Sequence, residues 1–189
     1  SDLVFDVRFL PNPNYIPKFH NLTGRHPEVA KYIRSFPQTQ EFIARINEGN
    51  ILVDYIGHGS DVVLADEQLF RSQDAARLTN ASRPSVFAFM SCTVGKFDVL
   101  GQEGLAEQLM KSPTGGAVAS VAATERVFPT QSTQLNDALV DRMFPLDPRV
   151  DSVATLGAAW VGAKNVWINR NTRKYVLLGD PGTVPPLPR

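Results

Sequence analysis

The stretch that decides the fold is Ile51-Leu52-Val53-Asp54-Tyr55-Ile56-Gly57-His58-Gly59-Ser60, an apolar run that ends at a histidine between two glycines. A second apolar run, Val86-Phe87-Ala88-Phe89-Met90, ends in the same way at Ser91-Cys92-Thr93, which holds the chain's only cysteine. If both runs are adjacent parallel strands, His58 and Cys92 lie side by side at one sheet edge, where open α/β sheets build their sites. A thiol beside an imidazole is the minimum apparatus for nucleophilic catalysis by cysteine.

A regular alternation of short apolar runs and amphipathic segments follows residue 50. Apolar runs without polar alternation, separated by helices, are typical of a mostly parallel sheet covered on both faces. The chain is therefore predicted to be α/β, with three layers in the order α/β/α. The predicted strands are 51–56, 85–90, 116–122 and 174–178, and the predicted helices are 66–78, 102–111, 131–144 and 152–164.

The two ends of the chain have a different character. Residues 1–50 predict an edge strand over 3–9, a proline-rich loop over 10–25, and helices over 26–36 and 39–48. Residues 51–183 are predicted to form the core of the domain. Residues 184–189 contain three prolines and are interpreted as a linker to a following domain.

Composition excludes several classes of function. The chain has 19 basic and 19 acidic residues in 189, with no basic stripe, so we expect neither nucleic acid nor an anionic lipid surface as a partner. No apolar run approaches the roughly 20 residues of a membrane span. One cysteine excludes an internal disulfide, and three scattered histidines give no transition-metal constellation, so no metal ligands are assigned.

Taken together, these segments resemble the gingipain-type cysteine peptidases, which have a caspase-like fold. The resemblance spans about residues 48–184 and is closest to the signal peptidase/sortase of the bacterial type IX secretion system. The resemblance rests on four segments of the sequence. They are Gly57-His58-Gly59-Ser60 with Ala65-Asp66, Ser91-Cys92 with Phe97-Asp98, Gly115-Gly116-Ala117-Val118-Ala119, and Leu178-Gly179-Asp180-Pro181.

The resemblance implies roles for matching residues. Cys92 would be the nucleophile, His58 the general base or acid, and the N–H groups of Gly59 and Cys92 the oxyanion hole. Ala123, Thr124 and Glu125 would help to bind substrate. Glu125 either favours a basic P1 side chain or is a solvated loop charge, and the second interpretation is slightly favoured. No cofactor is required, although the family permits a structural calcium ion.

The chain departs from the family at its N-terminal side. About 50 residues precede the histidine strand, and no acidic residue that would orient the imidazole is recognisable. The chain therefore looks like the C-terminal portion of a larger catalytic domain, with residues 1–50 as a remnant and an immunoglobulin-like domain expected to follow. The resemblance implies a secreted or cell-surface bacterial endopeptidase or transpeptidase acting on secreted proteins. The alternative is a catalytically incomplete module that serves in assembly or binding.

Overall fold

The computed structural model describes residues 13–23, 26–66, 68–145 and 155–184. A short 3-10 helix over Pro13–Tyr15 comes before the first α-helix. The strands are β1 (Leu52–Ile56), β2 (Val63–Leu64), β3 (Phe70–Arg71), β4 (Ser85–Met90), β5 (Ala117–Ala123) and β6 (Tyr175–Gly179). The helices are α1 (Pro27–Arg34), α2 (Pro37–Glu48), α3 (Ser72–Ala75), α4 (Leu105–Lys111), α5 (Pro129–Met143) and α6 (Leu156–Val166).

Four strands form the central sheet in the order β1-β4-β5-β6. The pairs β1–β4 and β4–β5 are parallel, and only β6 runs antiparallel to its neighbour β5. Helices cover both faces, because one hydrophobic core lies between the sheet and α5 and α6, and the other lies on the side of α2, α3 and α4. The predicted three-layer, mostly parallel α/β fold is confirmed.

Strand β4 lies in the middle of this architecture, and all six of its residues are buried. Val86, Ala88 and Met90 enter the core with α5 and α6, whereas Phe87 and Phe89 enter the opposite core. This alternation follows from the twofold side-chain period of a strand. A strand that is buried on both faces must be apolar at every position, which explains the unbroken apolar run in the sequence.

The prediction of a helix over residues 66–78 is wrong for most of that span. Phe70 pairs with Leu64 in a two-stranded antiparallel ladder, and the helix is confined to Ser72–Ala75. The buried carboxylate of Asp74 fixes this start, since it accepts the Arg71 N–H at 2.8 Å and forms an ion pair with Arg34. Leu69 and Phe70 are buried as expected, but a hairpin rather than a helix buries them.

The ends of the other described helices and strands agree closely with those predicted from the sequence. Pro27 and Pro37 each occupy the first turn of a helix, where a missing N–H costs nothing, and Gly49 ends α2 with a φ of 81°. Helix α6 begins at Leu156, while residues 152–154 of the predicted helix lie outside the described residues, as do the predicted strand over 3–9 and most of the predicted linker. The division into 1–50, 51–183 and 184–189 stays a prediction.

Within the described part of the chain, no helix combines the length and apolarity needed to cross a membrane.

A buried asparagine joins the start of β5 to the loop before β4. Asn80 Oδ1 accepts the Gly116 N–H at 2.7 Å, and its Nδ2 donates to the Gly116 carbonyl at 3.0 Å.

Replacing Asn80→Ala leaves two backbone groups without partners, so we expect the free energy of unfolding to fall by about 2–4 kcal/mol. Urea unfolding measures this loss. Asn47→Ala removes an exposed hydrogen bond to the Thr79 N–H and serves as the control, with an expected loss under about 1 kcal/mol. Equal losses in the two variants would contradict the role of Asn80.

Candidate active site

The parallel pairing of β1 with β4 brings the two motifs together. Ile56 lies opposite Met90, and the next residue, Gly57, donates its N–H to the Met90 carbonyl at 3.5 Å. The two chains then leave the sheet at the same edge, one into His58 and the other into Cys92. The prediction that both motifs lie at the C-terminal ends of adjacent parallel strands is confirmed.

The glycines beside His58 are required by space. A Cβ on Gly59 would overlap the hydroxyl of Ser91, and a Cβ on Gly57 would lie 2.8 Å from the hydroxyl of Tyr55. Neither glycine has a positive φ, so close packing rather than left-handed backbone requires them. The close approach of Gly59 to Ser91 is a direct contact between the histidine loop and the cysteine loop.

The backbone of His58 is fixed, while its side chain is exposed. The carbonyl of His58 accepts the Tyr55 hydroxyl at 2.7 Å and the Ala65 N–H at 2.8 Å. Tyr55 is itself buried, so its hydroxyl anchors the loop to the core. Among the described residues, no side chain forms a hydrogen bond with the imidazole.

Cys92 is half-buried and contacts the segment that follows β5. Its Sγ accepts the Val127 N–H at 3.5 Å and lies 3.8 Å from the Val127 carbonyl oxygen. The same segment is bonded to the two residues around the cysteine turn, since Thr93 N–H donates to the Glu125 carbonyl at 3.2 Å and Gly95 N–H donates to the Ala123 carbonyl at 2.9 Å. Two backbone hydrogen bonds and the contact of the Cys92 thiol with Val127 therefore hold the cysteine turn against the end of β5.

The cysteine turn contains backbone strain. Thr93, directly after Cys92, has a φ of 54°, in the left-handed region that β-branched residues rarely adopt. Such a conformation costs about 1–3 kcal/mol and persists only where the surroundings determine it. Here the hydrogen bond from Thr93 to the Glu125 carbonyl helps to maintain it. Strain of this kind clusters at functional sites.

The three residues expected to bind substrate differ in their accessibility. Ala123 is buried at the end of β5, and Thr124 donates both its N–H and its hydroxyl to the Lys174 carbonyl, at 2.9 and 3.0 Å. The Glu125 side chain is 67% exposed and forms an ion pair with Lys174 Nζ at 3.3 Å. Lys174 also donates to the Arg126 carbonyl at 2.7 Å. A basic P1 side chain would therefore compete with Lys174 for the Glu125 carboxylate.

A buried polar cluster behind the cysteine turn was missed at the level of sequence. The Tyr175 hydroxyl donates to Ser132 Oγ at 2.8 Å, and Asn171 Nδ2 donates to the same oxygen at 3.0 Å. Asn171 also bonds both backbone groups of Phe128, next to Val127. Burial raises the pKa of Tyr175 to about 12, so its hydroxyl stays protonated and remains a donor.

Nothing in the sequence marked this cluster. Asn171 lies in the polar run Asn169-Arg170-Asn171-Thr172-Arg173-Lys174, which has the composition of an exposed loop. The structure buries Asn171 completely.

Known structures show the class of protein that this fold defines. The crystal structure of the Arg-specific cysteine proteinase gingipain R matches with a TM-score of 0.66 and 22% identity, covering 77% of this chain and 36% of that one. A complex of the RgpB pro- and mature domains from Porphyromonas gingivalis matches with a TM-score of 0.63 and 22% identity, over the same shares of 77% and 36%. The fold is the caspase-like α/β fold of the gingipains.

The family follows from the sequence match. Residues 9–186 match the model of Peptidase family C25. The chain belongs to this family of cysteine peptidases.

Curated relatives share a shorter segment. A nucleotide-binding protein of Solibacter usitatus is 72% identical over 58 residues, which is 31% of this chain and 18% of that protein. A nucleotide-binding protein of Koribacter versatilis is 66% identical over 61 residues, or 31% of this chain and 20% of that protein. The chain thus spans about a fifth of the length of these relatives and about a third of the gingipain chains.

The contact between Gly59 and Ser91 can be tested by its effect on the free energy of unfolding. Replacing Gly59→Ala forces the two loops apart, and overpacking of this kind typically costs about 1–3 kcal/mol. Adding Ser91→Ala removes the clashing hydroxyl and leaves the new methyl 3.4 Å from the Ser91 Cβ position, while Val94 Cγ2 stays 3.0 Å away and keeps part of the crowding. We therefore expect the double variant to recover part of the lost free energy of unfolding, measured in urea.

Ser91→Ala alone is the control for this double-mutant cycle. If the two substitutions are simply additive, the loops are not in contact at this point.

Proposed function

We propose that His58 and Cys92 form the catalytic dyad of a cysteine endopeptidase. The observation that carries this proposal is the parallel pairing that sets Ile56 opposite Met90. Because side chains alternate along a strand, His58 continues the side of β1 that carries Asp54, and Cys92 continues the side of β4 that carries Met90.

Both of those sides face α5. The Asp54 carboxylate accepts Asn136 Nδ2 of α5 at 2.6 Å, and Met90 belongs to the core that α5 and α6 cover. Cys92 contacts Val127, two residues before α5 begins. Strand alternation thus favours a shared face for the imidazole and the thiol.

Two free backbone donors support an oxyanion hole. Among the described residues, no backbone hydrogen bond uses the N–H of Gly59 or the N–H of Cys92. One donor lies in each loop, and the loops are in contact through Gly59 and Ser91. Unused N–H groups beside a nucleophile are what the oxyanion of a tetrahedral intermediate requires.

The proposed reaction divides peptide hydrolysis into two steps. The Cys92 thiolate attacks the peptide carbonyl carbon, and the resulting oxyanion is bound by the N–H groups of Gly59 and Cys92. The C–N bond breaks as protonated His58 gives its proton to the leaving amine, and a thioester remains. Water then attacks the thioester, His58 takes up a proton from it, and the carboxylic acid is released. If an amine replaces water, the product is a new peptide bond, so the same site can serve a transpeptidase.

The resemblance extends the proposal to location and partners. We place the parent protein outside the bacterial cytoplasm, as a secreted or cell-surface enzyme of the type IX secretion system that acts on secreted proteins. Upstream strands and a following immunoglobulin-like domain would be parts of the same polypeptide. In the described sheet, β1 has β4 as its one neighbour, which leaves an edge where upstream strands could pair.

A structural calcium ion stays a prediction. In the described ranges, no three or more His, Cys, Asp or Glu side chains are grouped to hold a metal ion.

One observation favours the alternative function. The imidazole of His58 has no orienting side chain among the described residues, and an unoriented histidine is a poorer base. A module that keeps the fold while serving in assembly or binding would tolerate this. The nucleotide-binding relatives carry no further proposal, because the shared segment makes up 18% of the Solibacter protein.

Alkylation of the single cysteine tests the dyad without any substrate. A neighbouring imidazolium stabilises the thiolate, so iodoacetamide should label Cys92 at pH 6 several times faster than it labels free cysteine. Replacing His58→Ala should slow the labelling, while His26→Ala, in a histidine that caps α1, should not. Equal rates in the two variants would mean that His58 does not activate the thiol.

A peptide library tests the activity itself. We expect the 189-residue chain to cleave weakly or not at all, and a version extended upstream to cleave well, because loss of an orienting group costs on the order of 10⁴-fold in an analogous triad. The library should vary P1 among basic, acidic and apolar residues. Cys92→Ala is the control in both lengths. Cleavage that survives Cys92→Ala would exclude the proposed nucleophile, and an inactive extended protein would favour the assembly module.

A further inference from the structure

The polar cluster behind Cys92 is fully satisfied. Ser132 Oγ donates to the Phe128 carbonyl at 3.1 Å and accepts from the Tyr175 hydroxyl and from Asn171 Nδ2. A hydroxyl has one donor and two acceptor positions, and all three are used. Asn171, Ser132 and Tyr175 are each at most 1% exposed. A buried network with every group paired is rigid, since any displacement leaves a buried polar group without a partner.

Asn171 uses this rigidity to hold one peptide segment. Its Oδ1 accepts the Phe128 N–H at 3.1 Å, and its Nδ2 donates to the Phe128 carbonyl at 2.7 Å. The Phe128 side chain is 59% exposed, so apolar burial of the ring does not fix the segment. Hydrogen bonds from Asn171 and Ser132 therefore hold the backbone at Phe128, while the Val127 side chain packs against the core that α5 and α6 cover.

The segment so held presents one donor and one acceptor to the sulfur, because the Val127 carbonyl oxygen lies 3.8 Å from Cys92 Sγ and can accept the thiol proton. The N–H is the nearer of the two groups and the one that a thiolate can bind. The Val127 N–H, one residue before Phe128, donates to Cys92 Sγ at 3.5 Å. A hydrogen bond to a charged acceptor is stronger than one to a neutral acceptor. A fixed N–H therefore favours the thiolate over the thiol.

We propose that Asn171 is a positioning residue for the nucleophile: it holds the Val127 N–H on Cys92 Sγ, and this donor stabilises the thiolate. The proposal rests on the proposed function insofar as Cys92 is the nucleophile. Asn171 itself touches neither the sulfur nor the substrate, and it acts through the backbone of Phe128 and Val127.

Other charged and titratable groups lie around the thiol, and the test must separate them from Asn171. They come from the histidine loop, from the segment after β5, and from the start of β6. These groups are His58, Glu125 with its partner Lys174, Arg126 and Tyr175. Replacing Asn171→Ala changes none of these charges.

The experiment measures the rate of iodoacetamide labelling of Cys92 from pH 5 to pH 10 in the full chain. The sole cysteine makes the signal specific. We expect Asn171→Ala to slow labelling about tenfold at pH 6, the scale of one hydrogen bond to a charged group, and to leave the rate near pH 10 within about twofold. The midpoint of the profile should move to higher pH.

Asn80→Ala is the matched control. Asn80 bonds both backbone groups of Gly116 as Asn171 bonds those of Phe128, but it does so at the start of β5, and the cysteine turn is bonded to the other end of that strand. It should lose comparable stability in urea and keep the wild-type labelling profile. An equal shift in the Asn80 variant would show general destabilisation and would overturn the proposal.

A second variant acts on the donor directly. Val127→Pro removes the N–H and leaves Asn171 in place, so it should shift the profile in the same direction even if Asn171→Ala does not fold. An unchanged profile in either folded variant, or a loss of rate that is equal at every pH, would overturn the proposal. Peptide cleavage is measured in parallel in the version extended upstream: a shifted labelling profile in the chain, together with an extended protein that never cleaves peptides, supports the role of Asn171 and counts against the peptidase.

Discussion

The parallel pairing of β1 with β4 is the constraint on which the rest of the site depends. Strand β4 is buried at all six residues, so its position is set by the two cores, and β1 aligns with it from Leu52 to Ile56. A register slip of one residue would turn the side-chain series of β1 to the opposite face. The histidine loop would then lie on the far side of the sheet from the cysteine turn.

Beyond the strand ends, close packing and backbone hydrogen bonds hold the histidine loop and the cysteine turn in place. Gly59 contacts Ser91, and the cysteine turn is bonded to the segment after β5 through Thr93, Gly95 and Cys92 itself. These contacts maintain a strained φ at Thr93 and leave two N–H groups unused. The donor that contacts the proposed nucleophile is thus a backbone N–H, that of Val127.

The sequence predicted features that depend on long apolar runs and missed those that depend on buried polar groups. Unbroken apolarity in β4 identified a central strand and, with the first run, the edge where the motifs meet. The helix expected over 66–78 failed because Phe70 pairs with Leu64 in a local hairpin, and the helical spacing of apolar residues does not reveal that pairing. Asn171 was missed because an asparagine in a polar run looks exposed until the fold buries it.

A crystal structure of the chain labelled with a peptidyl ketone inhibitor tests the central claim most directly. If strands β1 and β4 build one catalytic site, the inhibitor carbon is bonded to Cys92 Sγ. The inhibitor oxygen then lies within about 3 Å of the N–H groups of Gly59 and Cys92, and the His58 imidazole lies beside the sulfur. An adduct whose oxygen points away from both N–H groups, with His58 on the opposite face of the sheet, would contradict the account.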